Sequence, residues 1–264
     1  MTEDQAPSSP FACLNNPVCV ILAAGTSSRL RPLTEAMPKC LLKVGGKALL
    51  ERTIENVLAA GIKEIALVVG YRAEMIREFV KQQFPNLKFR VILNPNFAST
   101  NNAYSLLLAR RFLENQNGKV HRSLLLLDSD ILFPRKLLPF FFQNGTEDSI
   151  AVRIVGEHNE EEIQAEIHPD GNIKFIGKRP DLTLASGESI GIELCSSATA
   201  ERLFSVLERR VRSGIGRSEF YEAAFQEMID TGVKLKAVDV STFPVIEIDT
   251  PEDFERANRM KVDE

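Results

Sequence analysis

The chain has 264 residues, 44% of them hydrophobic and 26% charged, with a net charge of −4. That balance belongs to ordinary globular proteins with room for one large α/β domain or two small ones. It offers no basic field for nucleic acid or an anionic membrane surface, and no apolar run approaches the ~20 residues of a membrane helix.

Residues 1–16 are polar and acidic at the start and lack the basic and apolar segments of a signal peptide, so they are expected to form a disordered extension before a single domain at 17–264. Residues 18–23 read as a buried strand, 48–60 as an amphipathic helix closed by Gly61, and 64–69 as a second strand ended by Gly70. A helix at 73–84 stops at Pro85; a strand at 89–93, a helix at 103–114 and a nearly all-leucine strand at 123–127 follow. This alternation predicts a parallel sheet with helices on both faces. Beyond it, 149–155, 162–168 and 172–178 predict a meander turning at Pro169-Asp170-Gly171, with a further strand at 186–195. Helices at 197–212 and 218–231, strands at 235–240 and 245–248, and a last helix capped by Thr250-Pro251-Glu252-Asp253 complete the chain.

Cys13, Cys19, Cys40 and Cys195 show no CxxC spacing, which favours a reducing cytoplasm over a disulfide framework or a zinc site. His121, His158 and His168 share no metal-binding spacing and read as surface or structural residues.

The first predicted strand empties into Leu22, Ala23, Ala24, Gly25, Thr26, Ser27 and Ser28, followed by Arg29, Arg31 and, about a turn later, Pro38-Lys39. Small residues let a backbone approach phosphate oxygens, and fixed cations neutralise them. A single glycine after a strand is commonplace; the combined AAGxSxRLRP…PKxLL pattern is not. Two acidic sites also follow predicted strands: Asp128-Ser129-Asp130 and Glu247-Ile248-Asp249. Aspartates at the carboxyl ends of strands in an open α/β sheet can hold Mg²⁺, which prefers one or two carboxylates plus phosphate oxygens. They can equally cap the next turn or helix, and Asp249 directly precedes a helix start.

These segments resemble the nucleotidyltransferases that make NDP-sugars and related activated groups. AAGTSSRLRPLT…MPKCLL carries the resemblance, joined by Val69-Gly70-Tyr71, Asn101-Asn102-Ala103-Tyr104-Ser105-Leu106, Leu127-Asp128-Ser129-Asp130 and Ile246-Glu247-Ile248-Asp249-Thr250-Pro251-Glu252-Asp253. The pattern is most similar to bacterial CTP:phosphocholine and 2-aminoethylphosphonate cytidylyltransferases, over roughly residues 17–260. The resemblance implies a Rossmann-like three-layer α/β/α fold with a mostly parallel central sheet and a small β-rich insertion. It also implies that residues 22–28 wrap the nucleotide, that Arg29 holds the β- and γ-phosphates, and that Lys39 bridges the α-phosphate and the incoming phosphate. Gly70, Tyr71, Thr100, Asn101 and Asn102 would face the base, Asp130 and Asp249 would hold Mg²⁺, and Glu188 would meet the second substrate or the ribose.

The implied partners are CTP and a small phosphorylated or phosphonate acceptor, with no nucleic acid and no membrane; a homo-oligomer stays open. Choline is normally recognised by aromatic faces, yet this chain has no tryptophan and three tyrosines. Tyr221 and Asp128 are the candidates for a cationic acceptor group, Tyr221 being as well explained as a core residue of its helix. Two further readings remain beside the cytidylyltransferase: a sugar-1-phosphate nucleotidyltransferase using UTP, dTTP or GTP, and a non-catalytic nucleotide-binding module.

Overall fold

The computed structural model describes residues 16–154, 162–179 and 181–262; the expected extension, apart from Asn16, lies outside them, as do Cys13, His158 and the predicted strand end at 155. In chain order, strand β1 (Val18–Ala23) leads to a hairpin of β2 (Lys43–Val44) and β3 (Lys47–Ala48), then helix α1 (Leu49–Ala59), β4 (Glu64–Val69), α2 (Ala73–Gln83), β5 (Phe89–Leu93) and α3 (Asn102–Leu108). Next come β6 (Leu124–Asp128), β7 (Ile131–Leu132), α4 (Leu137–Asn144), β8 (Ser149–Arg153), β9 (Gln164–Ile167), β10 (Ile173–Gly177) and β11 (Gly187–Cys195). The chain closes with α5 (Ser197–Arg212), α6 (Glu222–Asp230), β12 (Lys236–Asp239), β13 (Ile246–Glu247) and α7 (Pro251–Arg259).

Strand β1 is apolar on both sides, so it must be covered on both. Cys19, Ile21 and Ala23 join a core with α1, α2 and α4, whereas Val18, Val20 and Leu22 join another with α3, α5 and α6. The layers are therefore α/β/α, as the continuous apolar runs predict. In the nine-stranded central sheet, β5, β4, β1 and β6 lie side by side and parallel. Strand β11 runs antiparallel to β6 and β8, and β12 is parallel to β8. Strands β9 and β10 extend from the first residues of β11 as a small antiparallel insertion. Only β10 and β11 run against the direction of the others, so the sheet is mostly parallel.

Two expectations need correction, and one helix goes unpredicted. The helix expected at 103–114 ends at Leu108 and gives way to a 3₁₀ turn, Arg110–Phe112. The helix expected to begin at 218 starts at Glu222, behind a 3₁₀ turn at Ile215–Arg217. Helix α4 has no counterpart in the sequence reading: Leu-Leu-Pro-Phe-Phe-Phe is apolar throughout, so it carries no helical period.

Candidate active site

The carboxyl ends of β1 and β6 open into a cleft of about 360 Å³ lined by residues 22–29, Pro38, Lys39, Asp128, Ser129, Asp130, Glu247 and Asp249. Ligands bind at this edge of open α/β sheets because the chain diverges there. The loop after β1 turns at Ser27, whose φ of 49° is left-handed, and Thr34 Oγ1 donates to the Ser27 carbonyl at 2.8 Å. A Cβ added at Gly25 would meet no protein atom within 4 Å, so that position opens on the cleft and folding does not demand glycine there.

Gly70 is different. A Cβ there would lie 2.5 Å from Phe97 Cβ and 2.6 Å from the Ala24 carbonyl oxygen. Gly70 therefore serves the close packing of β4 behind the loop. Tyr71 donates its amide to the Ala24 carbonyl at 3.1 Å, and its hydroxyl contacts the Thr34 and Glu35 carbonyls at 3.1 and 2.8 Å. Neither residue lines the cleft. The expectation that both face the base is corrected to a role in bracing the loop.

Thr100, Asn101 and Asn102 do line the cleft, together with Asn94 and Ser105. Their side chains are also structural. Asn101 caps α3 by accepting from the Asn102 amide at 2.8 Å, and Asn102 Oδ1 accepts from the Tyr221 amide at 2.9 Å. Asn94 Nδ2 donates to Thr100 Oγ1 at 3.1 Å.

The centre of the cleft is a cation between acids. Lys39 heads a 3₁₀ turn, is buried, and places Nζ 2.6 Å from Asp130 Oδ2 and 2.6 Å from Asp249 Oδ1. Arg29 NH2 lies 2.7 Å from Asp249 Oδ2. Burial opposes the charge on Lys39, but the two carboxylates outweigh it and raise its pKa. Burial likewise works against the Asp249 carboxylate, and Lys39 and Arg29 more than offset it, holding its pKa low.

Two short strands bring the aspartates together. β13 pairs antiparallel with β7 through Glu247 opposite Ile131, and the Ile248 amide donates to the Asp130 carbonyl at 3.0 Å. The capping alternative for Asp249 is answered next door. Thr250 is the N-cap of α7, with Asp253 completing a capping box, which leaves Asp249 to the cleft.

Glu247 joins Asp130 and Asp249 in a trio with one carboxylate oxygen each, all within 4.8 Å of one another. The protein around it, with the charges of Asp130 and Asp249, pushes the Glu247 carboxyl up to about 8. Asp130 Oδ1 is buried without a hydrogen-bond partner. A hard, oxygen-only trio with an unpartnered buried oxygen suits a divalent cation such as Mg²⁺. The sequence reading quoted Glu247 in its motif without giving it a role; only the β7–β13 pairing reveals its proximity to Asp130.

Tyr221 does not face the cleft. It is fully buried, with its hydroxyl 3.1 Å from Asp128 Oδ2 and 3.2 Å from Glu193 Oε1. The expectation that it contacts the acceptor is corrected to a core residue beneath the wall of the cleft. Asp128 does line the cleft, beside Ser189, Gly191, Lys178, Phe220 and Glu222. Burial, then the surrounding carboxylates, push Asp128 up; burial and Glu222 do the same to Glu193. Burial alone brings Glu222 to about 7 despite Lys178 nearby. Glu193 has no role in the sequence reading, although an acid among the apolar residues of 190–195 is the available signal.

Glu188 lies outside this cleft, in an adjoining cavity of about 410 Å³ that also reaches Arg29, Glu247 and Asp249. It pairs with Arg153, and burial, with Glu162 alongside, holds its carboxyl at about 7.

A small-residue loop at a strand end, a buried lysine and an acidic trio define a nucleotide-binding α/β transferase. A sequence model of the nucleotidyl transferase family matches residues 18–164, and the chain belongs to that family. It is 30% identical over 246 residues to a bifunctional IPC transferase and DIPP synthase of Aquifex aeolicus (strain VF5), across 92% of this chain and 51% of that protein. It is 34% identical over 139 residues to a CMP-5'-(3-aminopropyl)phosphonate synthase of Streptomyces rubellomurinus, across 52% of this chain and 20% of that protein. The chain thus spans about half the length of the first relative and a fifth of the second. A choline-phosphate cytidylyltransferase of Streptococcus pneumoniae is 27% identical across 90% of this chain and 95% of its own length. A solved CTP:phosphocholine cytidylyltransferase from Streptococcus pneumoniae superposes with a TM-score of 0.69 at 25% identity, covering 92% of this chain and 98% of that one. Among the described residues, no helix is long and apolar enough to cross a membrane.

Proposed function

We propose that this chain transfers CMP from CTP to a small phosphorylated or phosphonate acceptor bearing an amine, releasing pyrophosphate, with Mg²⁺ as cofactor. The observation that carries this reading is Lys39, buried under the small-residue loop and held 2.6 Å from both Asp130 and Asp249. The relatives supply the nucleotide and the acceptor class: one is named for phosphocholine, another for an aminopropylphosphonate.

The residue types fit the reaction. An oxygen of the acceptor phosphate or phosphonate attacks the α-phosphorus of CTP, a new P–O bond forms, and the bond to the β-phosphate oxygen breaks. The acceptor oxygen is already anionic, so no general base is needed. What remains is positioning and charge neutralisation. The loop at residues 22–28 would hold the triphosphate, Arg29 its outer phosphates, and Lys39 the α-phosphate and the entering oxygen. Thr100, Asn101 and Asn102 would sit against the nucleoside, and the cavity beside Glu188 would border the acceptor side. Asp130, Glu247 and Asp249 would hold Mg²⁺, which when bound neutralises phosphate charge as the leaving group departs. Cytoplasmic action accords with free, buried Cys19, Cys40 and Cys195.

Pyrophosphate release with Mg²⁺ tests the reading, crossing CTP, UTP, dTTP, GTP and ATP against phosphocholine, 2-aminoethylphosphonate and glucose 1-phosphate. Turnover confined to CTP with an amine-bearing acceptor is expected. Turnover of another nucleotide with the sugar phosphate would overturn it in favour of NDP-sugar synthesis.

A further inference from the structure

The cleft has a second acidic wall that phosphoryl transfer does not use. Asp128, at the end of β6, and Glu222, the first residue of α6, line it with Ser189, Gly191, Lys178 and Phe220. Behind them Glu193 is fully buried. The Tyr221 hydroxyl lies within reach of both Asp128 and Glu193, at 3.1 and 3.2 Å, and has one hydrogen to give. Glu222 is 4% exposed, and its Oε2 is buried without a hydrogen-bond partner. Ser189 Oγ donates to Glu193 Oε1 at 3.3 Å, so the oxygen left without a donor at this wall is Glu222 Oε2, and a buried acceptor left unpaired is costly. The backbone makes room for it as well. β11 breaks register between Ser189 and Glu193, and Gly191 takes a φ of +69° there; a Cβ on it would lie 2.7 Å from Asp128 Oδ2.

We propose that Asp128 and Glu222 receive the protonated primary amine of the acceptor. The assignment rests on the cytidylyl-transfer reading above and names the acceptor's far end. A primary ammonium brings three N–H donors to a wall where Glu222 Oε2 lacks one. A quaternary ammonium donates nothing and is recognised by aromatic faces. The ring at this wall, Phe220, already carries Lys178 Nζ at 5.3 Å from its centroid.

The test uses the full chain with CTP and Mg²⁺ and three acceptors: 2-aminoethylphosphonate, its N,N,N-trimethyl derivative, and propylphosphonate, in which a methyl replaces the ammonium. The wild type is expected to favour the primary amine over the other two by ~10⁴ in kcat/KM, the discrimination of a site built to hydrogen-bond its substrate. In Glu222→Gln the ratio of aminoethyl- to propylphosphonate is expected to fall at least ~10-fold, through KM. Turnover of the trimethyl or propyl compound as fast as the amine by the wild type overturns the assignment, whether or not the variant folds. An unchanged ratio in folded Glu222→Gln also overturns it. No CTP turnover with any of the three, alongside turnover of another nucleotide with a sugar phosphate, overturns the cytidylyl reading itself.

Discussion

Lys39 faces more negative charge than it can neutralise alone, since Asp130 and Asp249 both meet its ammonium, and the exposed Arg29 pairs with Asp249 as well. Replacing Lys39 by alanine is expected to cut kcat ~10²–10³-fold, the range for a lost electrostatic contact in a transition state. The same variant leaves the acids without their cation, so Mg²⁺ measured by calorimetry without nucleotide should bind more tightly than to the wild type. Equal or weaker binding would mean that Lys39 does not compete for those oxygens. Asp130→Ala should abolish turnover while circular dichroism stays native; loss of the fold would make the carboxylate structural. Residue-scale legibility followed motif context. Lys39, Asp130 and Asp249 could be singled out because each sits beside a patterned segment. Glu247 carries no mark that sets it apart from Asp249 two residues on, and Glu193 is marked only by lying among apolar residues of a strand. Tyr221 has two readings in the sequence, an acceptor contact or a core residue of its helix, and the packed core beneath the cleft decides for the second.

Elements carry those residues into place, and the shortest elements matter most. β7 and β13 contribute two residues each; β13 lies within the strand expected at 245–248, whereas β7 is too short for alternation to register in a sequence, and their pairing is what sets Asp249 beside Asp130. The longer strands were legible because burial on both faces writes a continuous apolar run, as at Leu124–Asp128. Helix α4 was not, because its run of consecutive apolar residues shows no helical period although Pro139 and Gln143 are exposed, and the Pro139 within it reads as a breaker. Helix α7 was legible at its start, where Thr250 accepts from the Asp253 amide at 3.2 Å and Asp253 returns to the Thr250 amide at 3.0 Å. The Asp249 amide also donates to Asp253 Oδ2, at 3.3 Å. Thr250→Ala is expected to cost about 1 kcal/mol in urea denaturation, as cap removal does. Because the cap abuts Asp249, the variant should also weaken Mg²⁺ binding several-fold. A stability loss with Mg²⁺ binding unchanged would show that the cap does not position the carboxylate.

Across the whole molecule, the acids divide into two sets with opposite effects on stability. Glu64 is held below the ordinary range chiefly by its hydrogen bond from Arg122, and Glu166 by Lys174 and Arg179. Groups of this kind stabilise the fold above their unfolded pKa and lose that contribution only as pH falls through their lowered values. Asp128, Glu193 and Glu222 are raised, chiefly by burial, and face Tyr221, Ser189 and Lys178. For Glu222 the native state binds a proton up to about 7, while an unfolded glutamate releases it near its ordinary 4.5. Between those values the folded chain holds more protons than the unfolded one, so stability must fall as pH rises through that window. Glu188, also held at about 7, acts in the same direction. The urea midpoint of the ligand-free protein is therefore expected to be higher at pH 5 than at pH 8, and Glu222→Gln should flatten the slope between about 4.5 and 7. A midpoint that rises over that interval would mean that these carboxyls are charged and paired in the native state. Because a bound ammonium would add positive charge beside Glu222, 2-aminoethylphosphonate should reduce the same slope in the wild type but not in Glu222→Gln.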